Sequence, residues 1–234
     1  MNQEQKTDRL RILEIIHEAH ASHIGSCLSA VDIISAIYNA KRPDDRFILS
    51  AGHSAVALYA VLERKGLLKN PNLHDLNVHP DRSLENHIDV STGSLGQGLP
   101  IAVGMALADR NKNVWCVTTD GELNEGSMWE AIRIAGEQKL TNLHLAVNVN
   151  GYTAYKYSNK FEWGPRFKEF GWEIYNVDGH NPKELEEGLS LNSEKPRAII
   201  AYTDSEQLPF LQGLDAHYHV MTDEEYAQAR LLLR

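Results

Sequence analysis

Only two cysteines, Cys27 and Cys116, occur in 234 residues, which excludes a disulfide-stapled scaffold. Cys116 lies in an apolar run and Cys27 beside a Gly/Ser stretch, so both are expected as reduced thiols in a cytoplasmic protein. Long apolar runs are lacking as well. The longest gentle run, 98–108, is far short of the roughly 18 residues that would cross a bilayer, so no membrane is expected as a partner. Polar residues fill positions 1–9, with no apolar signal core. Basic residues are outnumbered, 23 Lys+Arg against 32 Asp+Glu, for a formal charge of −9. Without a basic cluster, nucleic acid and anionic membrane surfaces are poor partners. Repeats, low-complexity tracts and linkers are absent, and the 42% hydrophobic content excludes disorder. One domain over 1–234 is the expectation. Histidine is the abundance: 11 of them, more than packing alone would call for.

Apolar residues at helical spacing (Leu10, Leu13, Ile16, Ala19) predict a first helix, and Ser29 with Asp32 gives a capping-box-like start to another over 31–38. Phe47-Ile48-Leu49 reads as a short buried strand, and 55–65 as a helix closed by Gly66 in the left-handed conformation. Residues 69–90 are polar and irregular, a length of loop that is usually functional. From Gly93 onward the pattern alternates. Helices are predicted over 99–109 and 128–138, with another entered near Pro165 and left near Gly171. Strands are predicted over 114–119, 143–148, 172–177 and 196–202. Asn181-Pro182 supplies an N-cap with proline at N1, and Thr222 with Glu225 a capping box for the last helix. Strands alternating with helices predict an α/β fold, a parallel sheet with helices on both faces.

Ligands in such folds sit beyond the carboxyl ends of the strands. The strand over 114–119 runs into Asp120-Gly121-Glu122-Leu123-Asn124-Glu125, and the next into Asn150-Gly151-Tyr152. Asp120 and Asn150 are thirty residues apart, one strand–helix–strand unit, so the fold can place them side by side. A carboxylate and an amide oxygen are hard ligands suited to Mg²⁺ or Ca²⁺, and two side chains leave room for outside oxygens such as phosphate. Helix capping and a simple turn would use the same residue types. Thr92-Gly93-Ser94-Leu95-Gly96-Gln97-Gly98 opens a helix and could approach an anion through backbone N–H groups. As a dinucleotide-binding turn it fits badly, because its glycine order is G-x-x-G-x-G and no clear strand precedes it. An EF-hand starting at Asp120 fails at Glu125 and Ala131.

Asp120-Gly121 followed by Asn150-Gly151 resembles the thiamine-diphosphate signature, and Thr92 to Gly98 resembles the T-G-S-L-G-Q-G of transketolases. Histidine motifs agree: Ser22-His23-Ile24-Gly25, Gly52-His53, His79-Pro80-Asp81 and His217 before Asp223 each resemble a transketolase segment. From about His17 to the C-terminus the chain resembles the diphosphate-binding half of a transketolase, as found in split enzymes. The resemblance implies the thiamine-diphosphate-binding fold. It implies Mg²⁺ (or Ca²⁺) on Asp120, Asn150 and the Tyr152 carbonyl. Thiamine diphosphate would lie along His53, Gly93, Ser94, Leu95, Gly121 and Asn150. His23 and His217 would bind and deprotonate donor hydroxyls, a task suited to neutral imidazole, and His79 would orient the substrate. Glu125 would join a carboxylate network across a subunit interface. His17, His20, His74, His87, His144, His180 and His219 are read as surface or packing residues.

The implied reaction moves a two-carbon ketol unit from a ketose (phosphate) to an aldose (phosphate), both small sugars. The implied partner is a separate pyrimidine-binding subunit, in an α2β2 heterotetramer, since 234 residues leave no room for that module. Departures from the family pattern are Ile24, Thr119, Asn148, Ala154 and the segment Asp204-Ser205-Glu206-Gln207-Leu208-Pro209 in place of a Lys/Gly-rich loop. The chain is also shorter before Phe47 and between Gly66 and His79. Ala154 would widen the pocket beside the thiazolium. These changes leave open a modified or nucleotide-linked sugar as substrate, and a non-catalytic relic subunit.

Overall fold

The structure, a computed structural model, describes the chain except for residues 154, 155, 161 and 234 and the side chain of Asp215. The expectation for Ala154 therefore lies outside the described residues. Two helices come first, α1 (Gln3–Glu18) and α2 (Ile24–Ala40), then strand β1 (Arg46–Leu49) and helix α3 (Ala55–Arg64). A four-residue helix α4 (Leu73–Leu76) interrupts the polar stretch before α5 (Gly98–Ala108). The alternating part is β2 (Val114–Thr119), α6 (Gly126–Glu137), β3 (Leu143–Val149), α7 (Trp163–Glu169), β4 (Glu173–Asp178), α8 (Pro182–Ser190) and β5 (Arg197–Tyr202). Helix α9 (Asp223–Leu232) ends the described chain.

The five strands are all parallel, in the order β1-β2-β3-β5-β4. β2 is buried at every residue, as expected of a strand covered on both faces. One core lies against α1, α2, α3, α8 and α9, with Ile12, Ile33, Tyr59 and Leu185 among its members. The second lies on the opposite face against α5, α6 and α7, with Leu99, Met128 and Phe167. Trp163 and Phe167 of α7 are each almost wholly buried, worth about 2–3 kcal/mol apiece in area removed from water. Neighbouring β3 and β5 send the chain to opposite faces, the first to α7 and the second towards α9. That divergence opens a crevice between their carboxyl ends.

Local signals explain most boundaries. Asn2 and Gln5 form a capping box at α1, so this helix begins seven residues before the first apolar residue of the expected stripe. Asn181 caps α8 with Pro182 at N1, Thr222 and Glu225 form the box at α9, and Gly66 has φ 71° after α3. The expected start of α2 at Ser29 is corrected. This helix begins at Ile24, with His23 in the left-handed region (φ 70°), and Ser29 is interior, its hydroxyl donating back to the Ser26 carbonyl. Asp32 is not a cap either: it is buried and bound to Arg9.

Candidate active site

Register decides the first pair. Thr119 lies opposite Asn148 in the β2–β3 ladder, so Asp120 and Asn150 leave adjacent strands on the same rim of the sheet. Asp120 is fully buried. Its Oδ2 accepts the Gly151 N–H at 3.1 Å, while Oδ1 is buried without a hydrogen-bond partner. Burial raises this carboxyl to about 6, against partial compensation from its hydrogen bonds and the Lys160 charge. The Asn150 Oδ1 accepts from Tyr152 N–H at 2.9 Å, turning the chain so that the Tyr152 carbonyl lies 3.5 Å from where a Gly121 Cβ would stand. Asp120, Asn150 and the Tyr152 carbonyl are thus neighbours at the rim. Orphaned buried acceptors cost stability. A bare anionic oxygen beside two neutral ones is the donor set a hard divalent cation takes, and the residues fit such an ion. Among the described residues no cage of three His, Cys, Asp or Glu occurs that could hold a metal without outside ligands.

The glycine-rich segment approaches from β1. The Thr92 hydroxyl donates to the Leu49 carbonyl at 2.6 Å, and a Cβ on Gly52 would fall 2.6 Å from the Gly93 nitrogen. The Gly52-His53 turn can therefore approach Gly93 this closely only with glycine at position 52. Gly93 and Leu95 are half-buried and Ser94 is exposed, all ahead of α5. Glu122, which the sequence reading passed over, organises this corner. Its buried carboxylate accepts from Ser50 Oγ (2.6 Å), Thr118 Oγ1 (2.7 Å), Gly96 N–H (3.0 Å) and Thr119 N–H (3.3 Å). No local signal marks it, because Ser50 and Gly96 come from distant sequence. Glu125 lies half-buried at the start of α6 and makes no side-chain cap bond there.

Four histidines assemble in one cluster. The His23 ring centroid lies 4.7 Å from His217, 5.8 Å from His53 and 6.0 Å from His79, and His53 lies 5.4 Å from His217. All four come from different segments, as the sequence motifs led us to expect. His23 N–H donates to the His217 carbonyl at 3.3 Å, and Ser26 Oγ pairs with His217 Nδ1 at 3.2 Å. His23 Nδ1 is buried and unpartnered. Burial, reinforced by the neighbouring imidazoles, lowers His23 to about 4 and His53 to about 3, and burial also lowers His217. Neutral at pH 7, these rings can exchange hydrogen bonds and protons with a polyhydroxylated ligand. A crevice joins Asn150 and Tyr152 to Ser26, His217, Ser205 and Gly213, at the place where β3 and β5 diverge. Ser205 was not among the expected site residues. Its carbonyl reaches the crevice because Gly25 has no side chain, a Cβ there falling 2.7 Å away.

The remaining histidines sort largely as expected. His17 pairs with Asp223 and stacks on Tyr226, His219 pairs with Glu225, and His144 stacks on Trp115. His180 is the exception, as the hub of a buried network beside the crevice. Cys27 and Cys116 are buried and unpaired, and burial pushes the Cys27 thiol up to about 12. No helix among the described residues is long and apolar enough to cross a membrane.

Residues 2–230 match the family model described as transketolase, thiamine diphosphate binding domain. The chain is 36% identical over 224 residues to the transketolase of Pongo abelii, covering 84% of this chain and 36% of that protein. It thus spans about a third of the length of the full-length transketolases it matches. It is 33% identical over 249 residues to the 6-deoxy-6-sulfo-D-fructose transketolase subunit SqwG of Clostridium sp. (strain MSTE9), covering 93% of this chain and 90% of that subunit. The crystal structure of transketolase from Campylobacter jejuni superposes with a TM-score of 0.82 at 25% identity, over 100% of this chain and 43% of that one. The chain belongs to the transketolase family, in its thiamine diphosphate-binding domain.

Proposed function

We propose that this chain is the diphosphate-binding subunit of a split transketolase-type transferase, a single module that works with a separate pyrimidine-binding subunit. The observation that carries the reading is the buried, unpartnered Oδ1 of Asp120 on the same sheet rim as Asn150, with His217 lining the crevice that Asn150 and Tyr152 share. Asp120, Asn150 and the Tyr152 carbonyl would hold Mg²⁺, and diphosphate oxygens would complete its shell. His53, the Gly93-Ser94-Leu95 backbone and Gly121 would border the diphosphate. Thiamine diphosphate supplies the carbanion chemistry when bound. The chain's own residues position and move protons. His23 and His217 would bind donor hydroxyls and take the proton from the hydroxyl next to the broken carbon–carbon bond, and His79 would orient the sugar. Glu125 would meet a partner carboxylate across the interface.

Support for a partner comes from surface as well as from relatives. Helix α5 is apolar on its outer side too, with Ile101 37% and Leu107 38% exposed. A helix apolar all round is normally covered. An α2β2 assembly in the cytoplasm is the arrangement we propose; the relative SqwG is itself named a subunit. A modified sugar is the second reading for the substrate. The acidic segment after β5 favours it: Glu206 accepts from the Tyr152 hydroxyl and from Gly213 N–H at the crevice mouth, where the family carries a Lys/Gly-rich loop.

Calorimetric titration of Mg²⁺ and thiamine diphosphate into the assembled enzyme tests the site. Asp120→Ala should abolish metal-dependent binding while the far-ultraviolet circular dichroism stays native. Unchanged cofactor affinity in that variant would refute the metal assignment.

A further inference from the structure

Arg9 of α1 makes a two-pronged bond to Asp32 of α2, Nη1 to Oδ1 at 2.8 Å and Nη2 to Oδ2 at 2.6 Å. Both side chains are almost wholly buried, at 2% and 3% exposure. Asp32 Oδ2 also takes a bond from His180 Nδ1 at 2.8 Å, from the turn between β4 and α8. The far ring nitrogen settles the tautomer. The Asp204 N–H donates to His180 Nε2 at 2.9 Å, so Nε2 carries the lone pair and Nδ1 the proton given to Asp32. Gln207 closes the ring: its Oε1 accepts from Arg9 Nε at 2.9 Å, and its Nε2 donates to the Leu28 carbonyl at 3.0 Å and the Asp204 carbonyl at 2.7 Å. Four segments distant in sequence are tied at one point, and what they tie down is 204–207.

That segment forms part of the crevice wall. Between Asp204 and Gln207 lie Ser205, whose carbonyl presses on Gly25, and Glu206, which holds the Tyr152 hydroxyl. A second tether runs inward from the same place. Thr203 Oγ1 donates to Asn148 Oδ1 at 2.5 Å, Asn148 Nδ2 to Ser29 Oγ at 2.9 Å, and Ser29 Oγ to the Ser26 carbonyl at 3.0 Å. Ser26 in turn pairs with His217. Asn148 is therefore the buried link between the segment after β5 and the head of α2.

We propose that Asp32 and His180 are positioning residues. Asp32 orients the His180 ring, His180 holds the Asp204 N–H, and the segment so held fixes the distance between Gly25 and the crevice, and with it the relation of His23 to His217. The sugar meets a wall set by this network, although neither Asp32 nor His180 touches it. The proposal rests on the reading of the His23–His217 cluster as the sugar site.

Two variants test it. His180→Asn keeps a donor for Asp32 but offers nothing to the Asp204 N–H, and Gln207→Ala removes the second tie. In the chain itself, amide exchange at 204–207 should rise roughly tenfold, as for loss of one or two net hydrogen bonds, with β3 amides unchanged. The His23 and His217 ring resonances should shift. In the assembled enzyme the KM for an accepted ketose should rise more than kcat falls. Unchanged exchange at 204–207, an equal rise throughout β3 and β5, unmoved ring resonances or an unchanged KM would each overturn the proposal. Absence of ketol transfer by the wild-type assembly would instead refute the proposed function, and exchange and ring resonances would still decide the positioning role.

Discussion

Asp32 and Asp120 are both buried carboxylates, and they end in opposite states. Burial raises each. At Asp32 the hydrogen bonds and charges of Arg9 and His180 outweigh burial and hold the carboxyl below its usual value. At Asp120 burial outweighs the Ser158 hydroxyl, the main-chain N–H of Gly151 and the Lys160 charge, Oδ1 makes no well-formed hydrogen bond, and the carboxyl rises to about 6. The first is completed by the chain and serves stability. The second is left incomplete by the chain, the state expected of a group whose partner arrives from outside. The same division holds for histidine: His180 has both ring nitrogens engaged, whereas His23 Nδ1 is buried without a partner.

Substitutions at the incomplete groups should act first on turnover and cofactor binding, and those at the completed groups first on stability and on the placement of 204–207. The largest effect is expected at the cluster: His23→Ala and His217→Ala should each lower ketol-transfer turnover by about 10²–10⁴-fold, the usual loss of a general acid or base. Steady-state kinetics of the assembled enzyme read this, and near-wild-type turnover would remove the histidines from proton transfer. Asp32→Ala should instead destabilise the chain by about 3–5 kcal/mol, because it strands the buried Arg9 charge. Urea melts of the isolated chain measure it, and a cost under about 1 kcal/mol would mean that the pair contributes like an exposed one.

Acid should sharpen the contrast. A histidine held at about 4 or 3 in the fold and near 6.5 when unfolded contributes stability that is full above pH 6.5 and is lost as pH falls towards the folded value. Between pH 6 and 4.5, His23 and His53 should each steepen the decline by up to about 1.4 kcal/mol per pH unit. His53→Gln should flatten the curve by one such increment, and an unaltered slope would mean that the ring is not buried neutral. Asp120 has the opposite sign. Its carboxyl is raised in the fold, so its ionisation destabilises the chain as pH rises through about 6. Asp120→Asn should therefore stabilise the cofactor-free chain at pH 8 by about 1–2 kcal/mol while impairing metal binding. A loss of stability there would show that the carboxylate is already satisfied.

Much of this arrangement was legible in the sequence because it is written locally or in fixed motifs. β2 appears at its expected limits, the Thr222/Glu225 box and the Asn181-Pro182 cap act as expected, and the histidine segments converge. What was not legible depends on partners far along the chain. Ser29 and Asp32 looked like a helix start because the residue types suit one, but Asp32 is consumed by Arg9 and by His180, which lies 148 residues away. Glu122 looked like another acidic residue in a polar loop until Ser50 and Gly96 filled its oxygens. The role of 204–207 was hidden for the same reason. Its departure from the family pattern was visible, and the side chains that hold it were not.

The incomplete rim at Asp120, Asn150 and the histidines is proposed as one half of a shared site. Light scattering combined with a ketol-transfer assay, on the chain alone and after adding a pyrimidine-binding subunit, tests it most directly. The chain alone should be inactive and self-associate, and the second subunit should convert it into an active two-fold heterotetramer. Robust turnover by the chain alone would contradict it.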